Sequence, residues 1–189
     1  MRGREKFEKY KTIINIFSKI IKIFPKKIRL KLLYHFRKTQ GNKGIAIRYI
    51  LIKNLAKSCG DNVSIHPDVY IFHPEKLEIA NNVSIHPMTY IEAYGGVTIG
   101  NDVSIAEGVT IMSVTHLFDD INVPIKNQGI KEQKIVIENN VWIGAKATIL
   151  GNNIVHSGSI VGANAVVTKN VEPNNIVAGI PATKIRERK

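Results

Sequence analysis

The chain has 189 residues, a formal net charge of +12 and a single cysteine, Cys59. One cysteine excludes an internal disulfide and any cysteine-rich metal site. No apolar run reaches the roughly 18 residues of a membrane-spanning helix, and the N-terminus lacks the pattern of a secretory signal. We therefore expect a cytoplasmic protein, and a peripheral position at the inner face of the membrane is also open.

The positive charge is concentrated near the N-terminus. Residues 1–57 contain 17 Lys and Arg against two acids, Glu5 and Glu8, whereas residues 58–189 contain 10 basic and 13 acidic residues. We therefore divide the chain into a basic, amphipathic helical region, 1–57, and a second domain, 58–189, which ends in a short tail.

Apolar residues in the first region recur at helical spacing over residues 7–24, with lysines between them. This spacing predicts an amphipathic helix that ends at Pro25, followed by a second helix that runs to about Lys38. The segment 44–60, GIAIRYILIKNLAKSCG, fits both a strand and a helix. We favour a helix that closes at Gly60.

Three roles are open for the helical region. It caps the open end of the second domain, or it lies on an anionic membrane surface through residues 1–40, as basic amphipathic helices do; both can hold together. The third role is nucleic-acid binding. We do not expect it, because the region has neither a platform of stacking aromatic residues nor a known motif.

The second domain is built from a repeat. The hexapeptide NVSIHP occurs at 62–67 and again at 82–87, and triplets of apolar or small, variable and aliphatic residues recur around it, mostly six residues apart. Alternation puts the first and third side chains of a triplet on one face. The fourteen triplets begin at residues 63, 69, 77, 83, 89, 97, 103, 109, 135, 141, 147, 153, 159 and 165.

A six-residue unit of strand and corner, repeated three times per turn, predicts a mainly β domain. The expected fold is a parallel β-helix of triangular section, in which stacked coils bury the aliphatic positions as one continuous core. Asn153 occupies an inward position. We expect it to be a tolerated or hydrogen-bonded corner residue.

Three steps in the repeat are longer than six residues. The steps from 69 to 77 and from 89 to 97 are eight residues, and the step from 109 to 135 is 26. Because the triplets between these steps come in threes, every insertion falls at the same corner of the triangle. The longest one is extruded as a loop near 112–134, which contains SVTHLFDD, and function concentrates in such loops on rigid scaffolds.

His116 lies in this loop and is the candidate general base, because an imidazole suits that role at neutral pH. The loop has no second histidine, and His66 and His86, one coil apart, are an incomplete zinc set. We therefore expect no metal site. We interpret His66 as a feature of the repeat and His156 as a solvated surface residue.

Small residues stand at the corners of the last coils, among them Ala145 and Ala163. They allow a long, flexible ligand with amide groups to approach the backbone closely. Repeat geometry alone explains these residues equally well. Four basic residues that follow them are suited to meet the phosphates of such a ligand: Lys169, Lys184, Arg186 and Arg188.

The run VWIGA, followed by VGANAVVTK and AGIPATKIR, resembles the hexapeptide-repeat acyltransferases. The similarity is to galactoside and maltose acetyltransferases and above all to bacterial surface-polysaccharide O-acetyltransferases, and it covers about residues 58–188. It implies a left-handed β-helix, acetyl-CoA as the co-substrate, and a homotrimer whose active sites lie between subunits.

The resemblance also implies residue roles. His116 matches the catalytic base. His86 falls where the sugar acetyltransferases carry an asparagine that touches the acceptor, and Tyr94 falls where they carry an acceptor-side aspartate; we place Glu92 on the same side. At His86 and at Tyr94 the chain thus differs from the sugar acetyltransferases, and these two differences indicate an acceptor other than a simple galactoside. The positions that match coenzyme A contacts are Trp142, Gly144, Ala145, Ala163, Thr168, Lys169 and Arg186.

The predicted function is acetyl-CoA-dependent O-acetylation of a sugar hydroxyl in the synthesis of a surface polysaccharide. The acceptor is a sugar or a lipid-linked saccharide, His116 removes the hydroxyl proton, and a backbone N–H at the Trp142–Ala145 corner or in the loop stabilises the oxyanion. Two alternatives are open. One is N-acetylation of a nucleotide-linked amino sugar, and the other is a non-catalytic β-helix used for docking or assembly.

Overall fold

The computed structural model describes residues 3–189, so the first two residues of the basic region lie outside the described range. The described chain begins with α1 (Gly3–Ile23), α2 (Lys26–His35) and α3 (Gly41–Lys53), and a short 3₁₀ turn, Phe36–Lys38, follows α2. Pro25 separates the first two helices because it has no N–H to continue α1. These bounds confirm the two helices predicted before residue 38.

The prediction that residues 44–60 contain a helix is correct, but the predicted end at Gly60 is wrong. The helix stops at Lys53, and residues 58–59 form the first strand. The backbone N–H groups of Lys57 and Gly60 donate to Leu77 and Ile79 of the next coil, at 3.0 and 2.9 Å. These hydrogen bonds to the next coil use backbone N–H groups that a continuing helix would need, so a strand forms in place of the last predicted helical turns.

The rest of the described chain is mainly β-strand. The strands are, in chain order, β1 (Ser58–Cys59), β2 (Ser64–Ile65), β3 (Tyr70–Phe72), β4 (Leu77–Ile79), β5 (Ser84–Ile85), β6 (Tyr90–Glu92), β7 (Val97–Ile99), β8 (Ser104–Ile105), β9 (Thr110–Met112), β10 (Val114–His116), β11 (Ile130–Glu132), β12 (Ile135–Ile137), β13 (Trp142–Ile143), β14 (Thr148–Leu150), β15 (Ile154–Val155), β16 (Ile160–Val161), β17 (Val166–Val167), β18 (Asn175–Ala178) and β19 (Thr183–Glu187).

Three parallel sheets form the walls of a prism. Sheet A has the order β1-β4-β7-β12-β15, sheet B the order β2-β5-β8-β13-β16-β18 with β19 added antiparallel at its end, and sheet C the order β3-β6-β9-β14-β17. The chain passes from A to B to C in each coil. We name the corners AB, BC and CA after the sheets they join. The predicted parallel β-helix is confirmed.

The core follows the predicted alternation. Both inward positions of every predicted triplet are buried. Three of them are polar, and each side chain is hydrogen-bonded: Thr89 Oγ1 donates to the carbonyl of His86, Asn153 Nδ2 to that of Leu150 and Ser159 Oγ to that of Glu172, all at 2.8–2.9 Å. Asn153 is therefore a satisfied buried amide, as expected.

Corner AB shows how the polar corner residues hold the coils together. Asn62, Asn82 and Asn140 have φ of 54–59° there, a left-handed conformation that asparagine tolerates better than most residues. Beside them, the side-chain oxygen of Asn101 accepts a hydrogen bond from the Asn81 N–H at 3.0 Å, and that of Asn139 accepts one from the Asn101 N–H at 2.7 Å. This asparagine ladder therefore ties the second, third and fourth coils together.

All three insertions leave the prism at corner CA. The first contains the turn Pro74–Lys76, the second contains Gly95 and Gly96, and the third is the long excursion between β9 and β12. The single-corner prediction is confirmed. One glycine at this corner is required because another backbone segment passes close to it: a Cβ on Gly95 would lie 2.6 Å from the backbone N of Gln133.

Helix α3 covers the first coil, and a buried arginine joins the two. Arg48 is 1% exposed, and its Nε donates to the carbonyl of Ile65 in β2 at 2.8 Å. Its Nη1 donates to the carbonyls of Phe36, Arg37 and Thr39 at 2.7–3.2 Å, where the 3₁₀ turn ends. One guanidinium thus satisfies carbonyls of the turn and of the β-helix, while its burial lowers the pKa of Arg48.

Helix α1 lies along the first coils at corner AB. Lys11 and Lys53 both reach Asp61, each at 2.9 Å, which connects α1, α3 and the corner. Hydrogen bonds from these two ammonium groups lower the pKa of Asp61 to about 2. Nearer the start of α1, Arg4 reaches Asp102 at 3.5 Å, two coils further along the prism.

We expect Arg48→Ala to destabilise the protein by about 2–4 kcal/mol, because it leaves buried carbonyls without donors and opens a cavity under the first coil. Lys38→Ala removes an exposed cation from the adjacent turn and should change stability by less than about 0.5 kcal/mol. Urea denaturation measures both. Equal stabilities of the two variants would show that the Arg48 contacts are dispensable.

Candidate active site

The excursion at corner CA is a β-hairpin arm. Its strands β10 and β11 pair antiparallel, with Val114 opposite Glu132 and His116 opposite Ile130. The predicted extruded loop is therefore an ordered element that carries His116 on a strand. The imidazole is exposed at the surface of the arm.

A buried serine anchors the arm to the prism. Ser113 is fully buried, its Oγ donates to the carbonyl of Glu92 at 2.7 Å, and the N–H of Gly95 donates to the same Oγ at 2.9 Å. Gln133 directly follows β11, and its N–H donates to the Ser113 carbonyl at 2.8 Å. Sequence reasoning missed this residue. The available signal was a small polar residue at the point where the repeat is interrupted.

The tip of the arm is held by one amide side chain and exposes apolar groups. Gln128 accepts a hydrogen bond from the Asp120 N–H at 3.1 Å and donates to the carbonyls of Asp120 and Val123 at 2.8 and 2.7 Å. Phe118 and Ile121 are 61% and 94% exposed. The arm is thus ordered by its own hydrogen bonds while its apolar side chains lack a cover within the described chain.

The predicted acceptor residue Glu92 is the last residue of β6, and Tyr94 lies in the insertion that follows it at the same corner. The Tyr94 N–H donates to Glu92 Oε1 at 3.0 Å. The Lys76 ammonium lies 4.3 Å from the centre of the Tyr94 ring and 3.1 Å from a carboxylate oxygen of Glu132 in β11. Glu92, Tyr94 and the arm that carries His116 therefore form one connected group.

His86 lies elsewhere, at corner BC, directly after β5. Its ring stacks on that of His66, with centroids 4.6 Å apart and planes within 8°. Burial, then the nearby His86 and Arg48, lower the pKa of His66. His66 is therefore the stacking partner of a candidate site residue. Among residues 3–189, no three His, Cys, Asp or Glu side chains form a group that could hold a metal ion.

Several predicted cofactor residues share corner BC with His86. Gly144 and Ala145 follow β13, and Ala163 lies one coil further on. A Cβ on Gly144 would meet the backbone N of Ala163 at 2.6 Å, so a glycine is required at that position. Trp142 points outward from sheet B beside them and is 52% exposed. Gly144 is buried, Ala145 is partly exposed and Ala163 is exposed, so this part of the prism has small residues next to a flat aromatic surface.

The other predicted cofactor residues are placed differently. Thr168 and Lys169 follow β17 at corner CA and are exposed. Arg186 lies in β19, opposite Ile176 at the end of sheet B, and its Nη1 donates to the carbonyl of Glu187. The predicted cofactor residues are therefore divided between two corners and the last strand.

Most of the predicted site residues fall into two groups at different corners of the prism, which we name as candidate half-sites. The BC half-site comprises His86, Trp142, Gly144, Ala145 and Ala163. The CA half-site comprises Glu92, Tyr94, His116, Thr168 and Lys169. Sheet C lies between the two groups. The chain crosses it from His86 to Glu92, and these six residues of extended chain span up to about 20 Å. A single chain does not bring the two halves together.

His156 differs from the prediction of a solvated surface residue. Its Nδ1 lies 3.2 Å from Glu138 Oε1, and the N–H and Oγ of Ser157 donate to the other carboxylate oxygen. Those hydrogen bonds, those from Ser157 first, lower the pKa of Glu138. Glu138 and His156 are 18 residues apart, one coil, and this spacing was the available signal for the pair.

Three of the known proteins that match this chain illustrate the similarity. Galactoside O-acetyltransferase of Escherichia coli K12 is 33% identical over 164 residues, covering 86% of this chain and 79% of that protein. A solved galactoside acetyltransferase in complex with coenzyme A has a TM-score of 0.68 and 28% identity, covering 86% of this chain and 80% of that one. A putative lipopolysaccharide biosynthesis O-acetyl transferase of Escherichia coli K12 is 35% identical over 66 residues, 35% of this chain and 34% of that protein.

The family model described as bacterial transferase hexapeptide (six repeats) matches residues 134–169. That range spans β12 to β17, where both half-sites have their predicted cofactor residues. The galactoside O-acetyltransferase match extends the similarity over 86% of the chain. The chain therefore belongs to the hexapeptide-repeat acetyltransferases.

Proposed function

We propose that this acetyltransferase uses acetyl-CoA to acetylate a sugar hydroxyl of a surface polysaccharide or of its lipid-linked precursor. We also propose that it acts as a homotrimer with three sites, each between neighbouring subunits. The observation that carries this proposal is the division of the predicted residues into two half-sites that one chain cannot join.

The two half-sites match in their order along the prism. In the BC half-site, His86 is in the second coil and Ala145 and Ala163 are in the fourth and fifth. In the CA half-site, Tyr94 follows the second coil, the arm with His116 follows the third, and Thr168 follows the fifth. Coils stack at about 4.8 Å. If corner BC of one subunit faces corner CA of the next, acceptor residues meet acceptor residues and cofactor residues meet cofactor residues.

This arrangement also gives the arm a cover. Its exposed apolar side chains, Phe118 and Ile121 among them, extend from corner CA. A neighbouring subunit at that corner would remove them from water, which favours association. The same contact would shield His116 from bulk solvent.

The proposed reaction is direct acetyl transfer. The acceptor hydroxyl oxygen attacks the thioester carbon of acetyl-CoA while the His116 imidazole takes the hydroxyl proton. A backbone N–H at the Trp142–Ala145 corner stabilises the tetrahedral oxyanion. When the intermediate collapses, the C–S bond breaks, the imidazolium returns the proton to sulfur, and the products are the O-acetyl ester and coenzyme A.

O-acetylation is favoured over N-acetylation of an amino sugar because the relative that matches most of the chain is an O-acetyltransferase. The polysaccharide acceptor draws support from the shorter match to a lipopolysaccharide biosynthesis enzyme. The non-catalytic alternative is not retained, since the chain belongs to a family of enzymes. His86 and Tyr94 support an acceptor other than a simple galactoside.

We further propose that the protein acts in the cytoplasm, at the inner face of the membrane, with α1 touching the lipid. No helix within residues 3–189 is long and apolar enough to cross a bilayer. Helix α1 nevertheless has an exposed apolar face that includes Ile16, Phe17, Ile20 and Ile23. The lysines around it suit anionic headgroups, while α3 keeps its role as a cap.

We expect His116→Ala to lower kcat by roughly 10²–10⁴-fold, because it removes the general base. The assay follows release of coenzyme A with a saccharide acceptor. His35→Ala, an exposed histidine at the end of α2 that belongs to neither half-site, should retain wild-type turnover. Undiminished turnover in a folded His116→Ala protein would remove this residue from the mechanism.

Mixed trimers test whether each site is shared. His116→Ala disables the CA half-site, and Ala163→Trp should block the BC half-site with a bulky, exposed side chain. Co-refolding of the two inactive variants should restore roughly a quarter of the wild-type sites, because a random mixed trimer recovers one correct interface. No recovery in trimers shown to be mixed would mean that the site lies within one chain.

The double variant Ile16→Ser with Ile23→Ser should reduce binding to phosphatidylglycerol vesicles at least tenfold at low salt, because it removes two apolar side chains from the face of α1. Vesicle sedimentation measures the bound fraction. Ile185→Ser, an equally exposed isoleucine on β19, is the matched control. Failure of the wild-type protein to sediment would leave α1 without a role at the membrane.

A further inference from the structure

A groove of about 870 Å³ runs between α1, α3 and the first strands of sheet B. Phe7, Ile14 and Phe17 of α1 form one wall, and Ile45 and Ala46 of α3 form another. The size falls in the range of about 300–1,000 Å³ that is usual for small-molecule sites. Neither half-site includes any of these residues.

The groove stays open because polar contacts fix the position of α1. Lys11 is paired with Asp61 at 2.9 Å, and the Asn54 side-chain amide donates to Ser18 Oγ at 2.9 Å. These links hold α1 beside α3 at two points along the helix. The apolar walls between them remain in contact with water, and an apolar occupant would relieve that cost.

Two charged side chains line the groove, Arg4 and Lys43, and both are cationic. Arg4 is already paired with Asp102 at 3.5 Å, so Lys43 is the cation of the rim that suits an anionic group. Lys43 is exposed on α3, and Arg4 lies near the start of α1. An apolar channel with a basic rim suits an aliphatic chain attached to an anionic group, which places the chain against the walls and the charge at the rim.

The floor of the groove leads to the BC half-site. Asn82 and Ser84 line the groove, and His86 follows at the end of the same strand. Two residues of strand span about 7 Å. A molecule with its chain in the groove would therefore hold its polar end beside the candidate acceptor residue.

We propose that the groove binds the lipid chain of an anionic, lipid-linked saccharide, so that the saccharide reaches the acceptor end of the active site. This inference rests on the proposed function and narrows its acceptor to an amphiphile. The apolar face of α1 borders the groove, which would let the chain pass from a membrane into the protein with little contact with water.

The test is saturable binding of cis-parinaric acid, a fluorescent anionic fatty acid, to the full-length protein below its micellar concentration. We expect one probe per chain. Ala46→Trp from the α3 wall and Ser84→Trp from the floor should each weaken binding at least tenfold by filling the groove. Ala163→Trp adds the same bulk outside the groove and should bind the probe like the wild type.

Two further measurements separate the possible failures. The double variant Ile16→Ser with Ile23→Ser changes the exposed face of α1 but not the groove, so it should bind the probe like the wild type. If this variant loses probe binding while Ala46→Trp and Ser84→Trp keep it, the probe lies on the helix face and the proposal is overturned. Absence of saturable binding to the wild type would also overturn it. Acetyl-CoA should raise the melting temperature of wild type, Ala46→Trp and Ser84→Trp alike; loss of that shift counts against the proposed function rather than against the groove.

Discussion

Closure of the coil is the constraint on which the rest of this structure depends. Short strands in the middle of the stack form backbone hydrogen bonds with the strands one coil above and one coil below: the Ser84 N–H donates to the carbonyl of Val103 at 3.0 Å, and the Ser64 N–H donates to that of Val83 at 2.8 Å. An extra residue within a strand would shift the register on both sides and turn its inward side chains outward. Additional chain can therefore leave only at a corner. The arm that carries His116 can exist because corner CA tolerates inserted residues, whereas a strand does not.

The same constraint explains what could be predicted from the sequence. The period of six and the inward alternation locate the core and the corner of every insertion, because backbone geometry alone imposes both. The end of α3 could not be found in this way, since Leu55 is buried whether the chain continues as a helix or enters the first coil. The choice between them is made by ladder bonds to Leu77 and Ile79, which lie some twenty residues away.

The candidate site was predictable as a set of residues but not as an arrangement. The repeat pattern supplied His116, Ala145 and Ala163, and resemblance to the family added Thr168. Each was found as a single position, and their order along the chain does not show that a site would need residues from two corners. Ser113 and the Glu138–His156 pair depend on contacts between coils. These contacts follow from the coil length, and they are visible only when residues one coil apart are compared as neighbours.

The last strand has a consequence for the molecule as a whole. A stack of parallel coils ends in strands whose free N–H and C=O groups can pair with another chain, and such edges are templates for polymerisation. Here β19 folds back antiparallel onto β18, and the Ala182 N–H bonds to the carbonyl of Val166 in sheet C. The edge strand of sheet B at this end is therefore antiparallel to the coils, and α3 packs across the first coil at the other end. The prism is thereby a finite particle, and its sides are left as the surfaces through which it can meet other molecules.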